Sequence, residues 1–279
     1  MLCGRRSPIG SAVAVALMCV ALAAVSVAVA LGDVARAATH HQRVSWDTYG
    51  FDLQRTGFNP HETTVRASNA SRLHKLWSKK LGGVMVAQPV EAAGVKVHGT
   101  PTKVVYEGTE QGDFYALRAD DGHVLWHKYL GSIHNHCPFF PGGIFGVGGA
   151  GGDLVHAGVI YVAGGNGDVY ALNLATGAER HGWPVKGVFK PHHLQVYGGL
   201  TLFKRRLYVT DANDCYTPPE YSAVTEIDVA KHRVVHRFYP AGPPKGGISG
   251  GGVWGPGGVS IDPSTGGRLH SHRRRADDS

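Results

Sequence analysis

Three stretches of the chain repeat one pattern at one spacing. Val104-Val105-Tyr106-Glu107-Gly108 leads into Gly112-Asp113-Phe114-Tyr115-Ala116-Leu117, followed by Gly122 and Trp126. Val159-Ile160-Tyr161-Val162-Ala163 leads into Gly167-Asp168-Val169-Tyr170-Ala171-Leu172, followed by Gly177 and Trp183. Tyr115 and Tyr170 are 55 residues apart, and a further 55 reaches Thr225, which opens Thr225-Glu226-Ile227-Asp228-Val229. A fixed period of this length restricts the chain to architectures in which one supersecondary unit stacks on the next.

Each unit reads as short strands joined by tight turns. Val104 to Tyr106 is a β-branched and aromatic run bounded by glycines, and Tyr115-Ala116-Leu117 starts the next strand. Asp120-Asp121-Gly122 and Ala175-Thr176-Gly177 are hairpin turns, with Val124-Leu125-Trp126 as an outer strand. A further strand precedes each unit, at Asp153-Leu154-Val155, at Gly199-Leu200-Thr201-Leu202 and at Val259-Ser260-Ile261-Asp262. Four strands per repeat make a propeller blade. The expected fold is therefore all-β: a β-propeller of four-stranded blades, about four of them, in an incomplete ring. The 40 glycines among 279 residues are about twice the usual share and fall between strands, as turns require.

The pattern Tyr-Ala-Leu, four residues, Gly, several residues, Trp resembles the repeat of pyrroloquinoline-quinone-like (PQQ-like) β-propellers. The segment Trp46-Asp47-Thr48-Tyr49-Gly50-Phe51-Asp52, with Arg55 and then Phe58-Asn59-Pro60, is similar to the start of mature quinoprotein dehydrogenases. Leu73 to Trp77 then corresponds to a first outer strand, and the resemblance runs over residues 46–266. That family holds dehydrogenases, assembly scaffolds and uncharacterised secreted proteins, so it indicates a fold more sharply than a function.

Arg5 and Arg6 precede an apolar run from Ile9 to Leu31, and Ala35-Arg36-Ala37 supplies a cleavage pattern. Residues 1–37 therefore read as a signal peptide, with an uncleaved membrane anchor as the alternative. Met18 beside Cys19 argues against lipidation. The Ala- and Gly-rich wording points to a bacterium, and the expected location is exported: extracellular, periplasmic or cell-envelope. The net charge of +7 owes two units to the leader and two to the last twelve residues. The remaining charges are scattered, with no basic stripe interleaved with aromatics, so nucleic acid is excluded as the expected partner.

Residues 38–266 form the expected repeat domain, and residues 267–279 a basic tail, disordered or out of frame. Gly267 to Ser279 carries three consecutive arginines and no β alternation, which suggests a truncated propeller; as a native tail it could associate with the cell envelope. After cleavage only Cys137 and Cys215 remain, in loops that emerge on one propeller face. In an oxidising compartment they are expected to pair, leaving no free thiol in a titration of the unreduced protein.

His134 and His136 lie in the first of two matching loops and His192 and His193 in the second, which makes them the candidate metal set. Their spacing repeats no known zinc or copper pattern, and with 17 histidines in the chain chance clustering is the plainer reading. The resemblance implies PQQ beside a calcium ion, often against a disulfide between neighbouring cysteines. This chain has no adjacent cysteine pair, and the Glu, Asn and Asp calcium ligands have no residue-by-residue match in it. Asp211, Asn213 and Asp214 read as a solvated acidic turn. Gly250-Gly251-Gly252-Val253-Trp254-Gly255 is similar to the inward loop whose tryptophan flanks the quinone, which makes Trp254 the candidate cofactor contact.

Two function classes follow. One is an exported propeller that binds an unidentified protein or small molecule on its face, without catalysis and without catalytic residues. The other is the N-terminal part of a PQQ- and calcium-dependent alcohol or sugar dehydrogenase.

Overall fold

The computed structural model of the chain describes residues 45–134, 144, 145, 147, 149–151, 158–191, 194–213, 221–242, 252–265 and 268–270. Apart from a 3₁₀ turn at Ala70–Arg72, the regular elements among them are strands. β1 (Val90–Val97), β2 (Thr100–Gly108), β3 (Asp113–Arg118) and β4 (Val124–Tyr129) form an antiparallel meander in that order. β5 (Ile133–His134) pairs with β6 (Ile144–Phe145). A three-stranded sheet follows, from β7 (Gly149–Gly151), β8 (Val159–Ala163) and β9 (Val169–Asn173). β10 (Thr201–Phe203), β11 (Arg206–Thr210), β12 (Val224–Asp228) and β13 (Arg233–Phe238) make a second four-stranded meander. β14 (Val259–Ile261) and β15 (Arg268–His270) pair last, so β pairing continues into the segment that sequence assigns to the basic tail.

The register reproduces the period. Tyr115 faces Glu107, Tyr170 faces Val162, and Thr225 faces Val209. The three sheets are thus copies of one blade. The inner strand of the second copy is Gly149–Gly151; the expected Asp153-Leu154-Val155 lies outside the described residues.

Stacking explains why β8 is buried at every position instead of at alternate ones. Ile160 and Val162 pack with Tyr106 and Phe114 of the first meander. Tyr161 and Ala163, pointing the other way, pack with Leu207 and Val209 of the second. A third cluster joins Tyr208 and Val224 to Val253, Val259 and Ile261. A strand with both faces covered loses the polar alternation of a solvated sheet, and the core consists of these inter-blade layers.

A tryptophan latch repeats between blades. The Trp77 indole N–H donates to the Ala119 carbonyl at 2.7 Å, and Trp126 donates to Leu174 at 2.8 Å. Each ring lies on the glycine of the next blade's outer hairpin. A Cβ on Gly122 would stand 2.7 Å from Trp77, and one on Gly177 would stand 2.8 Å from Trp126. Both glycines have φ of 68°, so the turn and the close approach require glycine together. Residues 73–77, expected as an outer strand, form none; Leu73 and Leu76 are exposed, while the latch holds Trp77 on Gly122. An outer strand pairs with the third strand of its own blade, as β4 does with β3, and no described third strand flanks this segment.

The second blade departs from the pattern at its outer edge. Glu179 bridges Leu172 and Val185 bridges Val169, leaving five residues, 180–184, opposite two, 170 and 171. This excess, with Pro184 unable to donate, replaces the outer strand by a bulge.

The N-terminal segment ties distant blades together. Trp46 exchanges backbone hydrogen bonds with Glu91 on β1 at 2.9 and 3.0 Å. Thr48 Oγ1 donates to the Leu200 carbonyl at 3.1 Å. The Arg55 guanidinium donates to Thr48 Oγ1 at 2.6 Å, to the Tyr49 carbonyl at 2.9 Å and to the Val259 carbonyl at 3.2 Å, and also to Thr201 Oγ1. Burial pulls this guanidinium down to about 10, against the opposing pull of Asp52 and Tyr49.

Candidate functional site

In an antiparallel meander, the turn between the second and third strands and the exit from the fourth lie at the same end. Backbone bonds confirm the grouping here: Leu130 N donates to Gly112 O at 2.7 Å, and Val147 N to Thr109 O at 3.0 Å. This loop end carries the polar residues of interest from successive blades.

The richest set lies on the third blade. Asp211 follows β11 and is 1% exposed; its chain neighbours Thr210 and Asn213 are buried too, as is Ser222, next to the Ala223 that pairs with Asp211. The solvated-turn reading of Asp211 and Asn213 is therefore corrected. The ladder continues past β11 through an Asp211 N to Ala223 O bond of 3.1 Å, and Gln195 bridges Ala212 from the preceding connection. These pairings draw the loop into the inter-blade layer. Asp211 Oδ1 accepts the Ala223 amide at 2.8 Å. Burial pushes the carboxyl up to about 7, opposed by that amide and by Arg237. The hydroxyls of Thr210 and Ser222 are buried and make no hydrogen bond among the described residues.

Trp254 is brought to the same neighbourhood. Its ring stands edge-on to Tyr197, with centroids 6.2 Å apart. A Cβ on the adjoining Gly198 would meet Thr210 Oγ1 at 2.8 Å and the Gly255 carbonyl at 2.7 Å, so the Trp254 loop and the Asp211 loop converge there. Asp214 lies outside the described residues. Of the candidate metal set, only His134 is described, as an exposed residue of β5; His136, His192 and His193 lie outside the described residues, as do Cys137 and Cys215.

A second buried carboxyl escaped sequence reasoning. Glu107, at the loop end of β2, is 5% exposed, and its Oε1 accepts the Gly108 amide at 3.1 Å. Burial pushes it up to about 7. Its position matches Val162 and Val209, both buried against a neighbouring blade, and that alignment was the available signal.

These two carboxyls set a pH dependence. Below about pH 4 both folded and unfolded chains hold the protons. Between about 4 and 7 the folded chain keeps protons that the unfolded chain has lost, so stability falls as pH rises and levels off above 7. Asp262, held below the usual carboxylate range by Ser264 and Thr265, acts only at lower pH. Urea unfolding is expected to lose on the order of 2 kcal/mol between pH 5 and 8. The Asp211→Asn variant is expected to lose much of that slope, and an unchanged slope would refute the assignment to Asp211.

No protein-family model and no curated protein matches the chain. Solved structures do. A quinohemoprotein alcohol dehydrogenase, ADHIIG, from Pseudomonas putida HK5 aligns with a TM-score of 0.58 and 19% identity, over 81% of this chain and 34% of its own. The quinohemoprotein alcohol dehydrogenase of Comamonas testosteroni aligns with a TM-score of 0.56 and 18% identity, over 79% and 34%. A europium-containing methanol dehydrogenase gives 0.50 and 18%, over 71% and 32%. The fold is that of the quinoprotein β-propeller. The chain spans about a third of the length of each of these structures.

Among the described residues no three His, Cys, Asp or Glu side chains are grouped as a metal ion would need. Calcium takes six to eight hard oxygen ligands, ionised carboxylates foremost. Asp211 and Glu107 lie on different blades; each is tied to a main-chain amide and drawn toward neutrality by burial.

Proposed function

We propose that this chain is an exported binding module on a quinoprotein-type propeller, holding a polar ligand or a partner segment at the loop end of its blades. The observation that carries this reading is a pair of buried hydroxyls with no hydrogen-bond partner among the described residues: Thr210, next to Asp211, and Ser222, next to the Ala223 that pairs with Asp211. Buried polar groups ordinarily find hydrogen-bond partners, so unpaired ones beside a loop of half-exposed aromatics suit a ligand that completes them. Asp211, its carboxyl pushed up to about 7 by burial, can donate when protonated as well as accept. Export rests on the leader at residues 1–37; no helix among the described residues is long and apolar enough to cross a membrane.

The alternative, the N-terminal part of a PQQ- and calcium-dependent dehydrogenase, draws support from Trp254 on its Gly-rich loop and from the fold of the structures above. Dye-linked oxidation separates the two. With PQQ, calcium and a panel of alcohols and sugars, the full chain is expected to reduce no artificial electron acceptor. Turnover that requires both PQQ and calcium would establish the dehydrogenase reading instead.

A further inference from the structure

At the opposite end of the blades, between the second and third copies, lies a cleft of about 530 Å³. It exists because the tryptophan latch fails there. Trp126 follows its hairpin glycine, Gly122, by four residues, whereas Trp183 follows Gly177 by six. The bulge at residues 180–184 carries Trp183 outward, and the glycine position of the next hairpin is taken by His232, with φ of 49°. The imidazole fills the spot where an indole would rest. Trp183 consequently lines the cleft, and its indole N–H, unlike those of Trp77 and Trp126, makes no hydrogen bond among the described residues.

Three rings in mutual contact form one wall of this space, with the half-buried Trp183 between Tyr161 and His232. Trp183 stands 5.2 Å from Tyr161 at 52° and 5.7 Å from His232 at 56°. The charges are unequal in availability. Glu179 is engaged by Lys128 at 2.9 Å. Arg180 is exposed, and its guanidinium makes no hydrogen bond or ion pair among the described residues. An aromatic wall with one free guanidinium at its rim favours a flat ring bearing an anion. The planar fork of arginine matches a carboxylate at two points, while a cationic ligand would meet Arg180 with like charge.

We infer that this perimeter cleft binds a planar aromatic carboxylate, with the ring laid against Trp183 and the carboxylate on Arg180. The volume lies within the range of small-molecule sites. The inference is independent of the loop-end site, which sits at the other end of the blades.

Titration of the full chain with 4-hydroxybenzoate, followed through indole N–H resonances, tests it. The Trp183 signal is identified by its loss in Trp183→Leu. That signal is expected to shift saturably. Arg180→Gln, an exposed change, is expected to weaken binding about tenfold, and phenol or acetate alone to bind about tenfold more weakly than the combined ligand. A Trp183 signal that stays still overturns the proposal. So does equal affinity in Arg180→Gln, or a shift produced by glucose and not by 4-hydroxybenzoate.

Discussion

Trp126→Ala is expected to destabilise the protein by about 3 kcal/mol, whereas Trp183→Ala costs about 1 kcal/mol. The two tryptophans occupy the same place in the repeat, so sequence alone predicts equal losses. Trp126 packs 5.8 Å from Tyr106 and 5.9 Å from Phe114, lies on Gly177 and hydrogen-bonds the Leu174 carbonyl. Its removal opens a void between two blades and takes one of two donors from the Leu174 carbonyl, which keeps the Tyr106 hydroxyl at 3.0 Å. Truncating a large aromatic costs roughly 3–5 kcal/mol in a full core, and partial exposure places Trp126 at the low end. Trp183 borders a cleft that is already open, so its loss creates little new void. Urea unfolding of both variants decides the matter, and equal losses would remove the distinction between a closed latch and an open one.

Arg55→Met is expected to cost about 3 kcal/mol, with the loss felt in β14 as well as at the N-terminus. Methionine keeps the apolar stem and removes only the fork. That fork reaches Thr48 and Tyr49 locally, and Thr201 and Val259 from 146 and 204 residues away. Bonds to a charged group contribute roughly 1.5–3 kcal/mol each but do not add, and the desolvation of the buried guanidinium offsets part of their sum. Arg55→Lys is expected to restore little, because an ammonium cannot span both directions. Hydrogen exchange gives the readout: faster exchange at Ile261, whose amide bonds the Leu53 carbonyl at 2.8 Å, is expected in Arg55→Met. Unchanged protection there would mean that Arg55 does not join the blades.

The repeat was legible because its signals are local. Tyr-Ala-Leu, the hairpin glycine and the outer tryptophan all fall within one meander, and their spacing passes directly into register. The failed latch was also written locally, in the two extra residues between Gly177 and Trp183, but only a comparison of the two intervals exposes it. The burial of Asp211 was not legible. Asp-Ala-Asn-Asp has turn composition, and the partners that pull it inward, Ala223 and Gln195, belong to other strands and connections. Arg55 stood out only as part of an N-terminal motif, since its structural role depends on residues more than a hundred positions away. The N-terminal segment, in turn, pairs with β1 of the first blade and reaches the inner strands of later ones, a placement that no local pattern encodes.

On the proposed reading, Asp211 belongs to a binding face as a buried carboxyl and holds no calcium. Thermal unfolding of the full chain and of Asp211→Asn at pH 7, with and without millimolar calcium and PQQ, tests it most directly. A ligand at a hundred times its dissociation constant stabilises by about 2.7 kcal/mol, which for a chain of this size is a shift of several degrees. The account predicts melting temperatures unchanged by calcium and PQQ to within about 1 °C, and an Asp211→Asn variant at least as stable as the parent. A rise of several degrees in the parent that vanishes in Asp211→Asn would contradict it.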